Sequence, residues 1–257
     1  MAIQLPQKVR ILANEPLGTA GRVLRLDSHF DFTPGQLVSL SQSLAGPSRL
    51  YSIASAPGNA SLDIMYNLVP DGTLTPQLWH LQAGDELFLQ GPRGNFGEPP
   101  ILDAGKAIWW ICNGTGVSPF ISLIRHFQKQ GIPKANQRTL VFGFRTPSDA
   151  WFLEELIAAG NAGLRTILCL SSAHARQLVR NHPLTQNLPE WHEQSENGHQ
   201  AGTFLHIGRL TAWRGLREIP PGDLAMLCGS SLMISEVRDR LISDGMAPAQ
   251  IFAETYF

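Results

Sequence analysis

Four short segments of this chain combine residue types suited to holding a phosphorylated, redox-active aromatic molecule. In Arg49-Leu50-Tyr51-Ser52 the guanidinium can bond a phosphate with two N–H groups, the tyrosine offers an aromatic face and the serine a small hydroxyl. Alternation along a strand puts Arg49 and Tyr51 on one side. Taken alone, the segment fits an ordinary strand equally well. Gly114-Thr115-Gly116-Val117-Ser118-Pro119 follows an apolar run and opens a helical pattern, the setting in which backbone N–H groups receive an anion. It lacks the third glycine of the common dinucleotide fingerprint. Cys228-Gly229-Ser230-Ser231-Leu232-Met233 repeats that strand-turn-helix setting, although a cysteine at a strand end is more often a small buried hydrophobe. Glu254-Thr255-Tyr256-Phe257 adds a carboxylate and two aromatic rings.

The elements that must position these segments fall into two parts, 1–101 and 102–257. In the first, apolar residues alternate at period two between Gly/Pro-rich turns, most clearly at Arg22–Leu26, Gln36–Ser41, Ser61–Leu68 and Asp85–Gln90. Leu62, Ile64, Tyr66 and Leu68 would share one face, with Asp63, Met65 and Asn67 on the other. Short antiparallel strands at this spacing predict a small barrel. In the second part a strand at Ala107–Cys112 leads into a helix whose Phe120, Leu123, Ile124 and Phe127 form one stripe, with Ser118 as its cap and Pro119 at its first position. Further strands are expected at Arg138–Phe144, Leu164–Leu170, Asp223–Cys228 and Gln250–Glu254, and helices at Ala150–Ala159 and Leu232–Asp244. Alternating strand and helix predicts a parallel sheet covered on both faces. The polar stretch 174–202 interrupts this rhythm as a solvated excursion. Its His174, His182, His192 and His199 lack ligand spacing, so no metal is assigned.

Composition narrows the function classes. With 257 residues, 43% hydrophobic and 16% charged, the chain can bury a sizeable core. A net charge of −1 speaks against nucleic acid as a partner. No apolar run approaches a membrane span, and the first residues lack the pattern of a secretory signal. Three dispersed cysteines, Cys112, Cys169 and Cys228, argue against a disulfide framework or an iron–sulfur cluster and for a reducing compartment, the cytoplasm. Cys112 and Cys169 read as core.

Order and spacing of the four segments resemble the ferredoxin–NADP⁺ reductase family. The likeness runs over nearly the whole chain and is strongest to the bacterial ferredoxin/flavodoxin–NADP⁺ reductase type. It implies an N-terminal FAD-binding barrel and a C-terminal NADP(H)-binding α/β domain. Arg49, Leu50, Tyr51 and Ser52 match the family's flavin motif. Asp71-Gly72-Thr73-Leu74-Thr75-Pro76 resembles its next flavin element, with Thr73 and Leu74 giving backbone and Thr75 a hydroxyl. Tyr66 and Asn67 would lie beside the flavin. Gly114, Thr115 and Gly116 match the turn facing the nicotinamide, Thr115 touching both nucleotides, and Cys228 with Gly229 matches the segment near nicotinamide C4. The resemblance gives Ser52, Cys228, Glu254 and Tyr256 the catalytic roles, Tyr256 also covering the flavin and Phe257 lying by its adenine.

On the phosphate side of the nicotinamide nucleotide the likeness thins. Family members often carry Ser-Arg-Glu where this chain has Ser171-Ser172-Ala173. Arg145 and Arg209 match two other nucleotide-side arginines, and Arg176 or Arg180 could substitute for the missing one. NADP(H) is therefore expected ahead of NAD(H). The implied activity is electron exchange between NADP(H) and ferredoxin or flavodoxin through FAD, by a monomer. The reductase component of an oxygenase, or a nucleotide-binding subunit without independent turnover, are the alternatives.

Overall fold

The alternation of the first hundred residues becomes six antiparallel strands and a short helix in the computed structural model, which describes residues 5–97, 106–131, 137–183, 185–190 and 201–256. These are β1 (Gln7–Leu17), β2 (Gly21–Asp27), β3 (Leu37–Ser41), β4 (Arg49–Ser52), β5 (Leu62–Asn67), α1 (Thr75–His80) and β6 (Glu86–Arg93). They pair in the order β4-β3-β6-β1-β2-β5. Ile53, just beyond β4, bridges Ile64 of β5, and Ala54 N donates to Asp63 O at 2.8 Å. The edge strands thus meet and the sheet closes, which leaves no unpaired edge there. Val9, Ile11, Leu24, Val38, Leu40, Leu87 and Leu89 fill the inside, each contributing roughly 1.5–3 kcal/mol by burial.

Leu62, Ile64 and Tyr66 share the inner face as expected, but Asp63 and Met65 on the opposite face are buried too. The cover is α2 (Ser118–Gln130). Its Ser122 Oγ donates to Ser55 O at 2.7 Å, and Arg125 donates to Ala54 O at 3.2 Å and to Asp63 Oδ2 at 3.1 Å. Arg25 Nε donates to the other carboxylate oxygen of Asp63 at 2.8 Å. Contacts accordingly group Met1–Glu98 with Ser118–Lys129 as one unit, and Pro99–Val117 with Gln130–Phe257 as another. The change of rhythm at residue 101 lies outside the described residues, and α2, beyond it in sequence, groups with the first unit. A 3-10 turn at Gly114–Val117 runs straight into α2, so Ser118 is already its first helical residue.

In the second unit β7 (Ile108–Asn113), β8 (Arg138–Phe144), β9 (Arg165–Leu170), β10 (Gly202–Ile207), β11 (Leu224–Ser230) and β12 (Ile251–Tyr256) form an all-parallel sheet ordered β10-β9-β8-β7-β11-β12. Helices α3 (Leu153–Asn161), α4 (Ala175–Asn181) and α5 (Ser231–Ser243) lie between strands in sequence. One sheet face packs Trp109, Ile111, Val141, Ile167 and Leu227 against Met233, Ile234, Val237 and Leu241 of α5, with Trp213 and Leu216. At the amino edge Asp223 accepts from Ala107 N at 3.0 Å and Trp109 Nε1 at 2.9 Å, aligning β7 with β11.

Two expectations need correction. The helix expected from Ala150 starts at Leu153, because a 3-10 turn closed by Thr146 and Asp149 precedes it and Phe152 adopts φ 58°. The 174–202 stretch is not wholly an excursion, since α4 forms part of the β9–β10 crossover. His192 and His199 lie outside the described residues. Among those described, no helix is long and apolar enough to cross a membrane, and no His/Cys/Asp/Glu group could hold a metal.

Candidate functional site

Strand order in the parallel sheet reverses between β7 and β11. In such sheets ligands bind outside the carboxyl ends of the strands at that reversal. Both turns leaving it are rich in glycine, for steric reasons. A Cβ on Gly116 would lie 2.2 Å from Cys228 O, and one on Gly229 would lie 2.1 Å from Asn113 Oδ1. Gly229 also holds φ +140°, which side-chain-bearing residues rarely adopt. Asn113, the last residue of β7, ties the two turns together. Its Oδ1 accepts from Ser230 N at 2.9 Å and its Nδ2 donates to Ser230 Oγ at 3.0 Å. Ser230 in turn caps α5 by accepting from Met233 N at 3.4 Å.

Register places the remaining residues of this end. Cys228 lies opposite Cys112 of β7 and Glu254 of β12, and Ser230 lies opposite Tyr256. Gly114, Thr115, Gly116, Cys228, Gly229 and Glu254 are thereby brought to one end of one sheet. All three cysteines are free and buried. Burial, then the neighbouring Cys228 and Cys169, pushes the Cys112 thiol well up, and burial does the same to Cys169. Phe257 lies outside the described residues. Asn113 escaped sequence reasoning: its partner Ser230 is 117 residues away, and the only local signal is an amide ending an apolar run.

Further along the carboxyl edge, Phe144 of β8 and Ile207 of β10 both pair with Leu170 of β9. Arg145, Ser171 and Gly208-Arg209 therefore leave three adjacent strands at matched height. Neighbouring strands are about 4.8 Å apart, so the two arginines flank Ser171-Ser172. Arg145 and Arg209 are exposed, and neither side chain bonds another group among the described residues. Arg176 is engaged with Glu190 at 3.1 Å, and Arg180 is exposed.

In the first unit Arg49 donates to Ser48 O at 2.8 Å and to Thr73 Oγ1 at 3.0 Å, joining β4 to the loop before α1. Leu50 is exposed, Tyr51 half-buried and Ser52 buried. Burial holds the Tyr51 phenol above its usual range. Thr75 Oγ1 accepts from Val69 N at 3.0 Å and donates to Val69 O at 3.3 Å, locking the Val69–Gly72 turn. Leu74, the residue before α1, is buried. Tyr66 points into the barrel, its hydroxyl donating to Asn14 Oδ1 at 3.0 Å and its ring edge-on to Trp79. The next residue differs: Asn67 Oδ1 is buried with no hydrogen-bond partner among the described residues. Such an orphaned acceptor costs about 1–3 kcal/mol unless something donates to it.

Comparison with known proteins covers both units. The "Oxidoreductase FAD-binding domain" matches residues 19–97, and the "Oxidoreductase NAD-binding domain" matches residues 110–239. The reductase component of propane 2-monooxygenase from Mycolicibacterium goodii is 30% identical over 181 residues, 66% of this chain and 50% of that protein. The ferredoxin–NADP reductase of Pseudomonas aeruginosa is 29% identical over 222 residues, 84% of this chain and 80% of that one. The chain thus spans about half the length of the monooxygenase reductase and most of the shorter enzyme. A ferredoxin NADP⁺ reductase from Neisseria gonorrhoeae, solved with bound FAD and NADP, superposes with a TM-score of 0.76 at 18% identity, covering 99% of this chain and 100% of that one. At that identity the likeness is one of fold.

Proposed function

Because the chain belongs to the ferredoxin–NADP⁺ reductase family, with an FAD-binding and an NAD-binding domain in that order, we propose that it passes electrons between NADP(H) and a one-electron carrier protein, ferredoxin or flavodoxin. FAD supplies the conversion between a hydride and single electrons. The observation that carries the reading is the reversal in the parallel sheet, where Gly116 and Gly229 keep space that any Cβ would fill. The orphaned Asn67 Oδ1 fits the flavin in the first unit, whose ring N–H can donate to it.

The chain's residues then bind, orient and discriminate. Arg49, already bonded to Thr73, would neutralise the FAD pyrophosphate, with the backbone of Leu50, Thr73 and Leu74 and the hydroxyl of Thr75 around it. Tyr51 would lend its face to the flavin and Ser52 its hydroxyl to the reacting edge. With the Tyr66 ring committed to the barrel, its part would be played by its backbone. Gly114, Thr115, Gly116, Cys228 and Gly229 would form the floor on which the nicotinamide rests. Glu254, opposite Cys228, would manage the proton, and Tyr256 would cover the flavin until the nicotinamide displaces it. Arg145 and Arg209 would grip the 2′-phosphate.

A second reading, the reductase component of an oxygenase system, is favoured by the 30% identity to the propane 2-monooxygenase component. It keeps the same cofactors and changes only the recipient. Three free, buried cysteines support the cytoplasm as the compartment. The test is to release the cofactor by heat and identify it, then titrate the flavin spectrum with NADPH and NADH in parallel. Cytochrome reduction is next compared with ferredoxin, flavodoxin or neither. Recovery of FMN, or of no flavin, refutes the reading. Equal response to both nucleotides in wild type and Arg209→Ala removes the phosphate grip, and carrier-independent reduction removes the partner.

A further inference from the structure

The second unit also contains a cleft of about 570 Å³, lined by Thr211, Trp213, Arg214, Arg217, Glu218 and Arg240 among others. That volume suits a small molecule. Its Arg217 and Arg240 end lies apart from the nucleotide crevice. Helix α5 leaves the carboxyl edge of the sheet at Ser231, and at 1.5 Å per residue Arg240 lies about 14 Å further along. Glu218 acts electrostatically on Arg165, the first residue of β9, which stands about 17 Å from the carboxyl end of that strand. The cleft therefore begins at Thr211, two residues past Arg209, and runs along the face that α5 covers to Arg217, Glu218 and Arg240 toward the amino edge.

Three arginines and one glutamate line the cleft. Arg165, only 7% exposed, adds a further positive charge within electrostatic reach of that carboxylate. Net positive charge remains. Among the described residues neither the Arg217 nor the Arg240 side chain is held by another group. Trp213 is 2% exposed and presents no aromatic face for a base to stack on. The geometry points to a second anion site, separate from the nucleotide crevice, that binds a small non-aromatic phosphorylated ligand between Arg217 and Arg240. Planar guanidinium forks match phosphate oxygens in pairs, and two of them from different elements suit a ligand with two anionic groups. Arg214 can add long-range charge.

The site stands independently of the electron-transfer reading. Inorganic pyrophosphate titrated calorimetrically into the FAD-loaded chain, with NADP⁺ in excess to fill the nucleotide crevice, tests it. One saturable site is expected, weakened about tenfold or more by Arg217→Ala and by Arg240→Ala and weakened by added salt. Far-UV circular dichroism establishes that both variants are folded. Arg217→Lys keeps the charge without the fork and should retain part of the affinity. Heat that never saturates, or affinity unchanged in both alanine variants, overturns the site. Equally tight binding of a tetraglutamate peptide, lost in the same variants, overturns the phosphate assignment in favour of an acidic peptide.

Discussion

Replacing Gly229 with alanine tests whether the two glycine turns are locked through Asn113. The backbone at φ +140° is a region essentially reserved for glycine, and an alanine there costs on the order of 1–3 kcal/mol. The new Cβ would also sit 2.1 Å from Asn113 Oδ1. Moving that amide aside breaks its bonds to Ser230 N and Oγ, at 2.9 and 3.0 Å, about 1 kcal/mol each. Gly229→Ala should thus destabilise the second unit by about 3–5 kcal/mol, and Asn113→Ala by about 2. With the amide gone, the added methyl strains only the backbone and its contact with Asn113 O at 3.0 Å. The double variant should then be about 2 kcal/mol more stable than the sum of the singles predicts. Urea unfolding followed by tryptophan fluorescence reports mainly on this unit, because five of the six tryptophans lie in it and one, Trp79, in the first. Additivity to within about 0.5 kcal/mol would show that Asn113 does not couple the turns.

Asp223→Ala strands the N–H groups of Ala107 and Trp109 and should cost about 2–4 kcal/mol; a shift in urea midpoint worth less than about 1 kcal/mol would show that other partners replace the carboxylate. Burial holds the His206 imidazole below its usual 6.5, so as pH falls through that value the unfolded chain takes up a proton before the folded one does. Stability present above about 6.5 is therefore lost below it, down to the folded pKa. Urea midpoints at pH 7.5 and 5.5 should differ more in wild type than in His206→Gln, and an equal difference refutes the assignment. All three cysteines are buried, so a thiol-specific disulfide reagent should label none in the native protein and all three in urea; rapid native labelling would show that the carboxyl end of the sheet opens readily.

What the residues disclose and what they conceal follow physical lines. Strands β2, β3, β5, β6, β7, β8, β9, β11 and β12 were legible because each is an apolar run or alternation bounded by turn residues. Strand β1 hid because only Val9 and Ile11 of its eleven residues are buried, and Asn14-Glu15-Pro16 reads as a turn. Strand β10 hid at the end of a polar stretch. The glycines of both turns signalled a close approach, but what they approach is a carbonyl 112 residues from Gly116 and an amide 116 residues from Gly229. Burial of Asp63 was likewise invisible, since alternation assigns it to solvent and α2, far along the chain, covers it. Periodicity reports one face of an element; the second face depends on what the chain does later.

Helix α2 has a bearing on how the protein is made. The barrel's strands end with β6, yet the wall that satisfies the second oxygen of the buried Asp63 carboxylate arrives with Arg125, about thirty residues after Glu98. At synthesis rates of about 5–20 residues per second, the barrel waits about 1.5–6 s with that flank uncovered. No single cut of the gene separates the two units, because the chain leaves the first, begins the second, returns to finish the first, and only then completes the second. Exchange of whole nucleotide-binding halves between relatives would have to leave this helix with the recipient's barrel, or match its barrel-facing residues to it.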